Sequence, residues 1–322
     1  MRRLRVIRGW KDVPAGDRGA AVTNVGNFDG VHRGHQKVIA LAAKAAGELG
    51  APLGVITFDQ HPRTYFRPHE PAFRLMKPDQ QARALEALGV DMLYVLPLGP
   101  ELANMSDREF ATQVLHEGLG ARHVAVGFDN SFGKDRTGSP QTLRAYGAEL
   151  GFGVSVADPV ADGSGEKFSS TAVRDALRDG HPQEAARILS RPFAIEGEVQ
   201  RGRQLGRKLG FPTANVALAD YVIPKFGVYA TRTRLPDGRD IPGVANIGIN
   251  PTIEGVRAPL LEVWLFDFDE DIYDQVIETD LIAFLRPELK FDGLEPMTAQ
   301  VMKDAKQARD LLLPEIEQTR SP

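Results

Sequence analysis

His32 and His35 stand three apart in "NVGNFDGVHRGHQKV", Asn24–Val38, just after a glycine-rich turn. At the mouth of a helix, that spacing brings both imidazoles to one face. Free backbone N–H groups and the positive end of the helix dipole favour an anion at the same place. Gly26 and Gly30 let the chain turn and a ligand come close. Imidazole N–H donors there would stabilise charge growing on a phosphate. The pattern is neither G-x-G-x-x-G nor a Walker A loop, which needs Lys followed by Ser or Thr. The plain alternative is a capped, polar helix start. A metal site would need His61 as well, and neither a cysteine nor a nearby spaced carboxylate pair supports one.

Two further segments carry anion-binding chemistry after a strand. "GFDNSFGKDRTG", Gly127–Gly138, holds Asp129, Lys134 and Arg136. "FSSTAVRDAL", Phe168–Leu177, sets Ser169 and Ser170 at a helix start, with Arg174 one turn on. Each alone reads as a charged loop or a capped helix. Together with the histidine pair they favour a nucleotide.

A second set lies in the C-terminal part. "GRQLGRKLGFPTANV" has Gly202, Gly206 and Gly210 before Thr213 and Asn215. A glycine-rich loop can wrap polyphosphate through its backbone amides. Thr213 and Asn215 alternate along an extended segment and so point to one side. Their oxygens suit Mg²⁺, which keeps waters and takes substrate phosphates. Glu262 lies inside the apolar run "LEVWLFDF". A carboxylate there either faces solvent or serves as a general base toward an alcohol. Asp267, Asp269, Asp271 and Glu278 fall at EF-hand positions one, three, five and twelve, but Ile272 stands where the loop demands Gly. An exposed acidic turn is the expectation.

Positioning these groups calls for two kinds of scaffold. Strand signals at Ala21–Phe28, Ala51–Phe58, Met92–Leu96, His123–Phe128 and Gly153–Val160 alternate with helix signals. The helices are expected at His35–Gly50, Pro78–Leu88 and Pro140–Leu150, with another opened by a Ser106/Glu109 capping box. Such alternation implies a parallel sheet covered on both faces, a Rossmann-like domain. After about Ser190 the pattern turns to strands: Gly227–Leu235, a "PDG" turn and "RDIPGVANIGI" as a hairpin, then Pro259–Phe268 and Gln275–Leu285. One amphipathic helix over Pro296–Leu313 follows, which suggests a small antiparallel barrel or sandwich. The two domains join near Asp179–Arg191.

Of the 322 residues, 42% are apolar and 25% charged, with a net charge of -4 and no cysteine. That is globular composition, and it speaks against a dedicated nucleic-acid binder. Disulfides and thiolate chemistry are excluded. The basic start "MRRLRVIRGW" lacks the features of a signal peptide, and no apolar run reaches membrane-spanning length. A cytoplasmic protein with neither a membrane nor a nucleic-acid partner is expected, as a monomer or homo-oligomer.

Taken together, the motifs resemble the bifunctional bacterial riboflavin kinase/FAD synthetase (FMN adenylyltransferase) family over nearly the whole chain. "GNFDGVHRGHQ", "TFDQHPR", "LGVD", "VGFDNSFGKDRTG" and "SSTAVR" occur in the family's order. "GRKLGFPTAN", "GVYA", "GVANIGINPT", "LEVWLFDFDEDIY" and "FLRPELKF" follow. The resemblance implies a nucleotidylyltransferase domain over 1–185 and a riboflavin kinase domain over 186–322, the latter a small antiparallel β-barrel with a terminal helix. It implies that riboflavin is phosphorylated with MgATP to FMN, and that AMP then passes from ATP to FMN, giving FAD and pyrophosphate. Carried over by motif, Thr213 and Asn215 would hold Mg²⁺ and ATP phosphate, aided by Gly202, Gly206 and Gly210. Glu262 would orient or deprotonate the hydroxyl. Gly26, Phe28, Gly30, His32, His35, Asp129, Ser170 and Arg174 would form the adenylyl site, with His32, His35 and Arg174 catalytic. Asp59, His61 and Arg63 would face the flavin or its phosphate. The chain departs from the family at Gln60, where Pro is common, and at Asn130 and Ser131, where an aromatic and a basic residue are common. Those departures bear on how FMN sits in the adenylyl site.

Overall fold

The computed structural model describes residues 3–23, 25–159, 168–201, 206, 209–251 and 257–319. The chain divides into two compact units, Met1–Pro71 with Pro78–Ser169, and Ala72–Lys77 with Ser170–Pro322.

The first unit is built on a six-stranded sheet in the order β1-β4-β3-β2-β5-β6, parallel throughout. Its strands are β1 (Arg5–Arg8), β2 (Ala21–Thr23), β3 (Leu53–Phe58), β4 (Met92–Leu96), β5 (His123–Gly127) and β6 (Gly153–Ala157). Among its helices are α1 (Arg33–Leu49), α2 (Pro62–Phe66), α3 (Pro78–Ala87), α4 (Pro100–Asn104), α5 (Asp107–Glu109) and α6 (Pro140–Leu150). The Ser106/Glu109 capping box forms at the start of α5, which runs on as a π-helix over Phe110–Gly118. Ile56, Tyr94, Leu96, Val124 and Leu143 join one buried cluster, and full burial of such a side chain stabilises the fold by about 1.5–3 kcal/mol.

Three differences from the sequence expectations concern this unit. The edge strand β1 falls in the basic N-terminal segment, where charge hides a four-residue strand. The strands β2 and β6 stop at Thr23 and Ala157, short of Phe28 and Val160. The segment after β2 still borders β3, since the Ile56 amide donates to Thr23 Oγ1 and the Gly26 amide to Ile56 O. It then turns through left-handed φ at Phe28 (46°), Gly30 (86°) and Val31 (44°), which no strand tolerates.

The second unit opens with α7 (Ser170–Asp179) and α8 (Pro182–Leu189), then forms a closed barrel. The strands are β7 (Phe193–Gln200), β8 (Ala214–Ala217), β9 (Gly227–Arg234), β10 (Asp240–Pro251), β11 (Arg257–Leu265) and β12 (Val276–Arg286). They pair antiparallel in the order β10-β11-β8-β7-β12-β9. Of the two expected architectures, barrel and sandwich, the barrel is therefore the one formed. Val199, Val216, Leu261 and Ile247, cross-strand partners in turn, fill its interior.

The terminal helix α9 (Leu294–Thr319) is longer than the expected span and lays Ala305, Ala308 and Leu312 on Val228, Ala230, Val244 and Phe266 outside the barrel. Two arginines fasten it. Arg286 of β12 grips Asp304 at 2.7–3.0 Å, and Gln300 donates to the same carboxylate at 2.8 Å. Arg309 grips Asp267 at 2.8 and 3.0 Å, which accounts for one member of the acidic run. Asp267 itself has φ +54°, so β11 ends at Leu265, not Phe268; Asp267, Asp269 and Asp271 lie in an exposed turn, while Glu278 is half-buried in β12.

Candidate active sites

In the first unit the chain order reverses at β2. The strands β3 and β4 lie on one side of it, β5 and β6 on the other. Ligands of open α/β sheets bind beyond the carboxyl ends of strands at such a switch point. The loop after β2 carries Gly26, Phe28, Gly30 and His32, His35 follows in the first turn of α1, and the loop after β5 carries Asp129. A Cβ on Gly127 would meet Asp129 Oδ1 at 3.5 Å and Val38 of α1 at 4.0 Å. Asp129 therefore sits over the end of β5 beside α1.

Sequence sets the histidine geometry. His32 is the N-cap of α1, and its Nδ1 accepts from the His35 amide at 3.4 Å. A neutral His32 then carries its proton on Nε2. The two rings stack, with centroids 3.7 Å apart and an interplanar angle of 22°. Phe28 closes on His35 at 5.0 Å. Burial, with His32 beside it, holds the His35 imidazole well below its ordinary value, so it is neutral at pH 7. Its ring keeps some exposure, but Nδ1 is buried and has no hydrogen-bond partner among the described residues, and the same is true of Asn27 Oδ1. Buried polar atoms without partners are uncommon and point to a missing ligand. Gly34, inside the histidine motif, was not singled out in the sequence. A Cβ there would lie 3.0 Å from the His32 ring and 3.2 Å from Phe168 O.

The expected flavin contacts have structural partners of their own. Asp59 Oδ1 accepts from the Leu98 amide, and Gln60 Nε2 donates to Leu98 O, both at 2.9 Å. His61 Nδ1 caps α2 by accepting from the Arg63 amide at 3.0 Å. Arg63 and Arg67 both pair with Glu70, and these hydrogen bonds hold the Glu70 carboxyl below the usual carboxylate range. Ser131 accepts from Arg136 Nε at 2.8 Å within a turn where Asp135 and Arg136 have φ of 54° and 58°. Among the described residues no group of three or more His, Asp and Glu side chains is placed to hold a metal ion.

Ser170 and Arg174 count with the second unit. Ser170 opens α7. Arg174 is buried, donates from Nε to Phe73 O at 2.7 Å and lies 5.3 Å over the Phe73 ring.

In the barrel, the strands themselves assemble the site. Gln200, Asn215, Glu262 and Asn246 are successive cross-strand partners on β7, β8, β11 and β10. Directly opposed residues share a face. The next residues along these strands fill the interior, so this polar row faces outward, with Asn215 buried and Glu262 and Asn246 half-buried. Glu262 thus lies half-buried on the outer face of the barrel, within a polar row. Thr213 stands just before β8, and Asn215 Nδ2 donates to Thr213 O at 3.4 Å. That leaves the amide Oδ1 as an acceptor. A threonine hydroxyl and an amide oxygen are neutral oxygens of the kind a hard cation that also takes phosphates and water accepts. Gly210 has φ +87°, and a Cβ on Gly206 would strike Phe211 O at 2.5 Å. Gly202 lies outside the described residues. Asn246 and its neighbours Gly248 and Glu288 were not found by sequence reading.

The FAD synthetase family profile matches residues 14–172, and the riboflavin kinase profile matches residues 189–312. The bifunctional riboflavin kinase/FMN adenylyltransferase of Pseudomonas fluorescens is 40% identical over 311 residues, 97% of this chain and 99% of that protein. The chain belongs to this family. The Escherichia coli K12 member is 36% identical over 307 residues, covering 95% of this chain and 97% of its own length. A crystal structure described as a macrolide-efflux protein from Streptococcus pneumoniae superposes with a TM-score of 0.84 at 31% identity, covering 95% of this chain and 99% of that one. Among the described residues no helix is long and apolar enough to cross a membrane. As a bifunctional riboflavin kinase/FMN adenylyltransferase, the protein phosphorylates riboflavin with ATP in its C-terminal part and transfers AMP from ATP to FMN in its N-terminal part.

Proposed function

We propose that the two activities run on the two residue sets described above, in domains over 1–185 and 186–322, in the cytoplasm. In the kinase, Glu262 takes the proton of the ribityl hydroxyl as the hydroxyl oxygen attacks the γ-phosphorus of ATP, the bond to the β–γ bridging oxygen breaks and ADP leaves. Thr213 and Asn215 would hold Mg²⁺ with the ATP phosphates, and the glycines before them would wrap the polyphosphate. When bound, the cation would supply neutralisation of phosphate charge, which is the main need in phosphoryl transfer. The observation that carries this reading is the row Asn215–Glu262–Asn246 on three paired strands.

In the adenylyl site, an FMN phosphate oxygen attacks the α-phosphorus of ATP and pyrophosphate leaves. His32 donates from Nε2, and the unpartnered His35 nitrogen is available to the phosphates. A neutral imidazole still supplies one N–H, and in a site closed to water such a donor is worth more than in solution. Asp129, Ser170 and Arg174 complete the phosphate contacts, while Asp59, His61 and Arg63 face FMN, the last by exchanging Glu70 for the flavin phosphate. What supports this reading is the stacked histidine pair at the switch point.

The test is flavin chromatography over a titration of Mg²⁺. Thr213→Ala and Asn215→Ala should each raise the Mg²⁺ needed for half-maximal FMN formation, with FAD formation from added FMN intact. An unchanged Mg²⁺ requirement in both variants would overturn the cation assignment.

A further inference from the structure

The segment between β12 and α9 folds back onto β10. Glu288 of this segment has Oε1 3.4 Å from Asn246 Nδ2, a hydrogen bond at the long end of the range. The same oxygen occupies a notch in the strand: a Cβ on Gly248 would lie 2.2 Å from Glu288 Oε1 and 3.0 Å from its Cδ. Residues 246 and 248 share one face of β10, the face that carries the polar row. Any side chain at 248 would evict the carboxylate.

Neighbouring contacts hold the segment in place. Arg286 donates from Nη1 to Pro287 O at 2.8 Å while its other nitrogens grip Asp304. The backbone just before Glu288 is therefore tied to α9. An exposed glutamate ordinarily stays in water, because ordering its side chain costs entropy that a surface contact barely offsets. Here it is seated against a glycine and an amide directly beside Glu262.

We propose that Glu288 is a positioning residue of the kinase site: from the notch at Gly248 it fixes the Asn246 amide next to Glu262. With Nδ2 tied to Glu288, the amide presents Oδ1 as an acceptor to the substrate hydroxyls in the row. The inference rests on the reading of Glu262 as the group that takes the hydroxyl proton.

Steady-state kinetics of FMN formation by the full chain tests it. Glu288→Ala should lower kcat about tenfold, the size of one lost hydrogen bond to a charged group. Its KM for ATP should stay within twofold. Glu288→Gln should recover most of kcat, since its carbonyl oxygen still accepts from Nδ2. Gly248→Ala should reproduce the loss, and the double variant should lose no more than either single one, because both remove the same contact. FAD formation from FMN and the melting temperature should not move. The proposal is overturned if Glu288→Ala keeps kcat within twofold, if the two losses multiply, or if Gln fails to rescue while the melting temperature drops. Absence of FMN formation by the unmutated chain would instead sink the kinase reading itself.

Discussion

In the parallel sheet, the proposed site sits where the chain leaves the strands; in the barrel, the proposed site sits within the ladder. The adenylyl loop holds its histidines through local strain. Phe28 and Val31 adopt left-handed φ, and both side chains are buried. Such conformations cost about 1–3 kcal/mol each and persist only where the surroundings enforce them. Burial, with His32 beside it, then holds the His35 imidazole neutral at pH 7. The kinase row has none of this. Gln200, Asn215, Glu262 and Asn246 lie on regular strands and are brought into line by strand register. A slip of one residue would turn the whole row into the interior. One site is thus fixed by short-range packing, the other by long-range pairing, and lesions in them should separate.

The largest expected separation is at Glu262. Glu262→Gln keeps size and burial but removes the base, and FMN formation should fall about 10³-fold, within the usual range for general-base loss. FAD formation from supplied FMN should stay intact, as product chromatography would read out. His32→Ala should do the reverse. Loss of one donor to a developing charge costs about 10²–10³-fold, so FAD formation should drop by that much while FMN still accumulates.

Stability offers a third contrast. Asp304 is 3% exposed and neutralises Arg286, so Asp304→Ala leaves a cation with little solvent. Removing one partner of a buried pair costs about 3–5 kcal/mol. Kinase activity should therefore be lost at a lower temperature than in the unmutated chain; an unchanged temperature would argue that the pair does not fasten α9 to the barrel.

The smallest effect concerns pH. His35 has a folded pKa below its unfolded value, so between the two values the unfolded chain binds the extra proton. Stability should then fall as pH drops below about 6.5, by at most about 1.4 kcal/mol per pH unit. Melting temperatures at pH 7.5 and 5.5 should show this fall, and His35→Gln should reduce it.

These contrasts also explain what the sequence made legible. The alternation of strands and helices, the histidine pair and the capping box at Ser106 are local patterns and survive folding intact. The left-handed turns at Phe28 and Val31 were not visible, because neither residue type signals positive φ. The strand β1 was hidden by its arginines. In the barrel, Thr213, Asn215 and Glu262 were legible as residue types, but their alignment with Asn246 depends on pairing among strands far apart in the chain. Glu288 lies farther still, and its only local sign was the glycine opposite it.

Complementation tests the central claim of two independent sites most directly. Glu262→Gln and His32→Ala would be incubated separately and then together with riboflavin, ATP and Mg²⁺, and the flavins resolved by chromatography. The first alone should yield neither product, the second only FMN, and the mixture FAD. A mixture that makes no FAD from two folded variants would contradict the account.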